Sequence, residues 1–358
     1  MPVASQVFFQ PGNCLNIKKP FATTCWECFQ KCPHGAINEI KKIDPNKCTD
    51  CGVCMAVCPS DGFVDRAMDE IKRHMFDADP VVLSCPAARP GGCEISCVGM
   101  FDRDAWGALM LLSDRKEVNI LTGDCAVCED VKACSHSVST LKALLEHWTP
   151  PNNMKIKIVP WDGQTTIRPD EQASLDTAAA DPPTPSSNMP ADPPTIGELR
   201  EQNKLRDKLK AMLPVLAEET YNIPRSRRWL LDALALAPGH KIPFQALKIN
   251  EQCTSCGICA HVCPQGALTH NKDNGVERIV YQPSLCVHCQ RCLKVCGPKA
   301  VAMEEMALDE RYIKGKILLR KIIPRLCASC GRQIFHNLEP GLCIGCARED
   351  PELKGILY

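Results

Sequence analysis

The feature that most constrains this chain is a pair of cysteine runs with one spacing rule. The C-terminal pair reads Cys253-x2-Cys256-x2-Cys259-x3-Cys263-Pro264 and Cys286-x2-Cys289-x2-Cys292-x3-Cys296. A loop with thiols at two-residue spacing can turn three sulfurs toward one point, and a fourth must arrive from elsewhere in the chain. The chain has 26 cysteines in 358 residues. Disulfide frameworks are usually short secreted chains. The start Met1-Pro2-Val3-Ala4-Ser5-Gln6, with the first arginine at Arg66, does not read as a secretory or twin-arginine leader. A cytoplasmic, reducing location is therefore expected, and in it this cysteine load points to metal.

The C-terminal runs resemble those of bacterial-type two-cluster ferredoxins. In that family the last cysteine of each run ligates the other cluster. The resemblance implies a [4Fe-4S] site from Cys253, Cys256, Cys259 and Cys296 (site three) and another from Cys286, Cys289, Cys292 and Cys263 (site four). Gly297 stands where a proline would follow Cys296, with Pro298 one place later.

An N-terminal segment repeats the pattern with one complete run, Cys48-x2-Cys51-x2-Cys54-x3-Cys58-Pro59, and one broken run, Cys25-x2-Cys28-x3-Cys32-Pro33. Ala22 occupies the place of the missing first ligand, and Cys14 is the obvious replacement. Site one is then Cys14, Cys25, Cys28 and Cys58, and site two is Cys48, Cys51, Cys54 and Cys32, which brings the expected count to four [4Fe-4S] clusters. The alternative leaves Cys14 a buried thiol beside a cluster that has lost an iron. Gly35-Ala36-Ile37 and Gly266-Ala267-Leu268, after the Cys-Pro pairs, are expected to start short strands.

Between the two segments the pattern changes to an α/β unit. Pro80 to Ser84 and Val118 to Thr122 read as strands, and Asp104 to Leu112 as a helix. Leu141, Leu144, Leu145 and Trp148 mark one face of a second helix, and Met154, Ile156 and Ile158 mark a half-buried third strand. Cys85, Cys93, Cys97, Cys125, Cys128 and Cys134 lie near the ends of these elements, where parallel sheets place cofactors. Ile95-Ser96-Cys97-Val98-Gly99 and Leu121-Thr122-Gly123-Asp124-Cys125 resemble the delta subunit of methyl-viologen-reducing hydrogenases. That resemblance implies a further cluster of the [2Fe-2S] kind, with Cys85, Cys97, Cys125 and Cys128 as candidate ligands, and a partner such as a hydrogenase or heterodisulfide reductase. The spacing departs after Cys125, and Ala88 stands where a second cysteine is expected. A redox disulfide and buried thiols are the alternatives.

Residues 168 to 195 are acidic and rich in Pro, Ala and Ser, the composition of an extended linker. Thr195-Ile196-Gly197-Glu198 reads as a capping box opening a helix, and a second apolar stretch from Trp229 to Leu236 ends at Pro238-Gly239. The expectation is a helical hairpin packed on its own cysteine module. In the tail, Cys327-x2-Cys330 and Cys343-x2-Cys346, with twelve residues between Cys330 and Cys343, suit a structural zinc ribbon, with a rubredoxin-like iron as the alternative.

The expected architecture is α+β: two ferredoxin-like βαββαβ dicluster modules (1–78 and 241–306) flank a small α/β domain (79–162). A linker (163–195), a helical segment (196–240) and a zinc-ribbon tail (307–358) complete it. Lys plus Arg (42) balance Asp plus Glu (42) and only 5% of residues are aromatic, so a nucleic-acid surface is not expected. No apolar run reaches the roughly 20 residues of a membrane span, which leaves a peripheral membrane association open. No phosphate-binding glycine loop is present. The expected function is an electron-transfer subunit wiring a hydrogenase, a formate or aldehyde oxidoreductase, or a heterodisulfide reductase-like enzyme to a second partner. The rivals are a free polyferredoxin shuttle, a reductase with an open-site cluster in the middle domain, and a regulatory scaffold.

Overall fold

The computed structural model describes residues 7–18, 25–88, 91–150, 156–160, 223–273, 275–334 and 341–351. The Pro/Ala-rich linker and the helix expected from Thr195 lie outside the described residues. The described part is mixed α/β with several small sheets.

Near the N-terminus, β1 (Val7–Phe9) pairs antiparallel with β2 (Phe63–Asp65), bracketing α1 (Glu27–Lys31) and α2 (Val53–Ala56). The inner hairpin expected from Gly35-Ala36-Ile37 is reduced to one bridge, Ile37 to Ile43. Its turn is too short to pair further: the Asn38 side chain and main chain bond Lys42, and Lys41 adopts a positive φ of 66°. The C-terminal counterpart is larger. There β7 (Ile242–Ile249) pairs with β10 (Val301–Leu308), and β8 (Leu268–Asp273) forms a hairpin with β9 (Val276–Tyr281). The sheet continues past residue 306, because β11 (Ile317–Ile322) pairs with β9.

The middle unit is a four-stranded parallel sheet in the order β4 (Cys93–Glu94), β3 (Val81–Ser84), β5 (Val118–Thr122), β6 (Ile156–Pro160). β3 (Val81–Ser84) is buried at all four positions, as a central parallel strand requires. β5 (Val118–Thr122) lies on one side of it, and on the other lies β4 (Cys93–Glu94), a two-residue strand too short for the sequence pattern to reveal. β6 (Ile156–Pro160) is not half buried as expected. It is an edge strand with Ile158 and Val159 exposed, because among the described residues β5 is its only neighbour in the sheet. Upstream of this sheet runs α3 (Met68–Asp77). Between β4 and β5 runs α4 (Arg103–Leu112), and between β5 and β6 runs α5 (Val131–Glu146). Leu144 and Trp148 face the core, whereas Leu145 is exposed.

α4 is buried from Ala105 to Leu112, all the way round. A helix of this kind needs partners on every side, and one of them is α6 (Arg225–Leu236), the helix after Pro224. The expectation that α6 packs on its own cysteine module is thereby corrected: its main partner is a helix of the middle unit. Gly107 allows the approach, since a Cβ there would lie 2.5 Å from Ile242 Cδ1 and 3.2 Å from Leu230 Cδ1. Trp106, Phe101 and Trp229 are almost fully buried in the shared core, each contributing about 1.5–3 kcal/mol of apolar burial.

The first turn of α6 ties three units together. The Arg225 amide donates to Asp61 of the N-terminal module, and the Ser226 hydroxyl bonds Asp102 at the start of α4. Arg227, 4% exposed, donates Nε to Asp104 Oδ2 at 2.6 Å and Nη1 to the Pro283 and Cys286 carbonyls, with its guanidinium over the Phe244 ring. Arg227→Ala is expected to lower stability by about 3 kcal/mol or more, since it leaves Asp104 without its partner. Arg227→Lys should recover only part of that, because an ammonium cannot repeat the fork geometry. Thermal unfolding of the two variants checks both points.

Candidate metal centres

Loop and short-helix residues build the first N-terminal cavity. Cys14, Cys25, Cys28 and Cys58 line it together with Phe9, Leu15, Lys41 and Gly62. The Cys14 loop is held there by Asn16, which accepts from the Cys25 amide at 2.6 Å and donates to the Cys25 carbonyl at 3.0 Å. Lys41 is buried, donates to the same carbonyl and lies over the Trp26 ring. Burial pushes the Cys28 thiol up to about 11. The Gly62 amide donates to Cys58 Sγ at 3.0 Å.

Cys32, Cys48, Cys51 and Cys54 line a second cavity beside the first. Helix α1 carries Cys28 of one cavity and ends at Cys32 of the other; α2 carries Cys54, and Cys58 follows two residues after it. Each short helix therefore serves both sites. The Ala36 amide donates to Cys32 Sγ at 3.3 Å, and burial raises Cys51 to about 11 and Cys54 well above the usual thiol range.

In the C-terminal module Cys263, Cys286, Cys289 and Cys292 line one cavity, with Gln265, His288 and Arg291 around it. Cys253, Cys256, Cys259 and Cys296 form a second group, near enough that Cys256 and Cys296 both act on the Cys253 and Cys259 thiols. The amides of Ser255 and Ala300 donate to Cys253 and Cys296 Sγ at 3.4 and 3.2 Å. Burial raises Cys259 to about 11 and Cys292 to about 12.

At the C-terminal ends of the parallel strands, Cys85, Cys97, Cys125, Cys128 and Cys134 line one cavity with Asp130. The sequence reading placed all five near the ends of the elements but took only Cys85, Cys97, Cys125 and Cys128 as candidate ligands; Cys134, the fourth residue of α5, joins them. Cys93 is elsewhere, beside Glu70 and Glu94. Asp130 reaches out of this cavity to the second N-terminal one, accepting the Thr49 hydroxyl at 2.6 Å and meeting His34 Nε2 at 2.7 Å. Gly99 permits the contact: a Cβ there would lie 2.9 Å from the Cys51 carbonyl and 2.8 Å from Ala133 Cβ.

In the tail the sulfurs of Cys327, Cys330, Cys343 and Cys346 all lie within 4.8 Å of one another. They are brought together by β12 (Arg325–Leu326) paired with β13 (Gln333–Ile334), and by α7 (Ile344–Glu349), which Cys343 caps. Backbone amides of Cys330 and Cys343 hold the Cys327 thiol down to about 6. That preorganises a thiolate, the form that binds metal.

The described residues include all 26 cysteines, and none is in a disulfide. Burial raises the thiols of Cys28, Cys51, Cys54, Cys97, Cys259 and Cys292, so a bare thiolate is unfavourable at each of these positions. A cationic metal centre reverses that balance, and amides aimed at sulfur complete the environment of an iron–sulfur site.

Known proteins agree. A profile of the 4Fe-4S dicluster domain matches residues 252–301, and one of the 4Fe-4S binding domain matches residues 41–63. An uncharacterized ferredoxin of Methanocaldococcus jannaschii is 33% identical over 55 residues, covering 15% of this chain and 71% of that protein. The chain belongs to the ferredoxins. A ferredoxin-like protein from the nif region of Rhizobium leguminosarum bv. trifolii is 35% identical over 54 residues, 13% of this chain and 78% of that protein. The isethionate sulfite-lyase activating enzyme of Desulfovibrio desulfuricans is 36% identical over 72 residues, 18% of this chain but only 22% of the enzyme's length.

As a ferredoxin the chain is an iron–sulfur electron-transfer protein with 4Fe-4S clusters, and its four-cysteine tail group is able to hold a metal ion. Among the described residues no helix is long and apolar enough to cross a membrane.

The ferredoxin also contains a cavity of about 320 Å³ where its three units meet, lined by Glu27, Asp61, Asp102, His136, Arg227 and His288 among others. Burial and the neighbouring Asp104 raise the Asp102 carboxyl to about 7. The folded state therefore holds this proton while the unfolded chain releases it, so Asp102 lowers stability progressively as pH rises from about 4 to about 7. Asp102→Asn, which keeps an acceptor for the Ala105 amide, is expected to flatten that decline. Chemical unfolding of both forms between pH 5 and pH 8 tests it.

Proposed function

We propose that this ferredoxin is a multi-cluster relay that passes single electrons between a catalytic oxidoreductase and a second redox partner. The observation that supports this most is the set of cavities, each lined by cysteines drawn from two different runs. Four [4Fe-4S] clusters would be held by Cys14, Cys25, Cys28 and Cys58 (site one), by Cys32, Cys48, Cys51 and Cys54 (site two), by Cys253, Cys256, Cys259 and Cys296 (site three), and by Cys263, Cys286, Cys289 and Cys292 (site four). These clusters would supply one-electron chemistry; the protein sets their potentials through amide-to-sulfur bonds, burial and nearby charge.

A fifth iron–sulfur centre is assigned to the middle cavity, held by Cys85, Cys97, Cys125 and Cys128 with Cys134 as a further candidate ligand. Zinc is assigned to Cys327, Cys330, Cys343 and Cys346, whose close tetrad lacks the third cysteine and following proline of the ferredoxin loops. Partners of the hydrogenase, formate or aldehyde oxidoreductase, or heterodisulfide reductase-like kind, met in the cytoplasm, fit a relay of this size.

Anaerobically purified protein is expected to carry about sixteen irons or more, from four cubanes. Cys14→Ala should remove the site-one signal while the C-terminal module keeps its paramagnetic spectra; unchanged iron and spectra would show that Cys14 is not a ligand. Truncation before Cys327 should cost about one zinc and no iron. Elemental analysis of the full and shortened chains decides that point, and loss of reducible iron would place the tail among the redox centres.

A further inference from the structure

We propose that the five cysteine sites form one unbranched series in the order middle site, site two, site one, site four, site three. The two ferredoxin modules would join at a seam between Leu15 and Arg291. This rests on the relay reading above and adds its connectivity: the middle domain stands at one end of the series, not between the modules.

Each neighbouring pair shares protein contacts. Asp130 lines the middle cavity and bonds His34 and Thr49, which both line site two. Sites two and one share α1 and α2, and Cys28 of site one acts on the Cys54 thiol of site two.

The step between modules is made by a buried side chain. Arg291, 4% exposed and lining site four, donates Nη2 to the Leu15 carbonyl at 2.8 Å, and Leu15 lines site one. Lys18, three residues further along the same loop, bonds Gln265, which also lines site four. Sites four and three are again interleaved within one module, with Cys259 acting on Cys292. Beyond site three lies β11, whose Arg320 donates to the Glu251 carbonyl and acts on Cys253. Each transfer in such a series moves one electron from a reduced centre to an oxidised neighbour, with no bond made or broken. The electron is supplied by a one-electron protein donor or, in the test, by dithionite.

The test uses the full chain, prepared anaerobically, reduced with dithionite and examined by electron paramagnetic resonance. Two reduced centres in adjacent cavities split or broaden each other's signals. The site-one signal is identified by its loss in Cys14→Ala. In Cys286→Ser/Cys289→Ser, which removes site four, the magnetic splitting of site one by its C-terminal neighbour is expected to fall at least twofold, with site two unchanged. A site-one signal that keeps its full splitting would overturn the proposed order. Arg291→Leu keeps every cysteine and guards against misfolding of the double variant. It should retain full iron and the splittings within each module, while the splitting across the seam falls at least twofold. Unchanged cross-seam splitting in that variant would show that Arg291 does not join the modules. Fewer than about sixteen irons in the unmodified chain would instead defeat the relay reading itself.

Discussion

The constraint on which the structure depends is the convergence of thiols. Groups of four or five sulfurs meet in small cavities, and at Cys28, Cys51, Cys97, Cys259 and Cys292 burial drives the thiol pKa up to about 11 or 12. Desolvated thiolates placed together repel, so without a cationic centre each group would work against the fold. Iron–sulfur centres turn that penalty into a bond network. Apolar side chains such as Phe63, Ile37 and Leu247 belong to the same buried core as several of these cysteines.

A second requirement follows from small modules, which bury little surface on their own. Here they share one core with the middle sheet through α4 and α6. Arg227 is the residue where the units meet, pairing with Asp104, bonding two carbonyls of the Cys286 loop and stacking on Phe244. A buried guanidinium is satisfied only when all these partners arrive together, so it favours a single arrangement of the units. Arg291 does the same at the other contact, between the Leu15 loop and the Cys289 to Cys292 loop.

Much of the candidate site was legible in the sequence because cysteine spacing is a local property. Three thiols at two-residue spacing point one way whatever surrounds them, and the break at Ala22 was visible as a gap in an otherwise regular run. What was hidden had no periodic signal. Asn16 pins the Cys14 loop through two bonds to Cys25, yet it is one polar residue in an irregular segment. Cys134 joins the middle cavity only because α5 folds back over the strand ends, and Cys93 stays out although it lies closer in sequence to Cys97. β4 was missed because two residues carry no alternation, and β6 was read as half buried because alternation cannot tell an edge strand from an inner one.

By itself, then, the sequence determined the 4Fe-4S ferredoxin character and the α/β character of the segment between the cysteine runs, since these follow from spacing and periodicity over short stretches. The tertiary structure alone decided which modules touch. Arg227 and Arg291 are unremarkable basic residues in the chain, and only folding buries them against Asp104 and the Leu15 carbonyl. It also decided that α6 belongs against α4 and that Asp130 bridges the middle cavity to site two. The physical reason is that long-range contacts depend on which buried polar groups find partners after collapse, and a linear pattern of residue types does not contain that information.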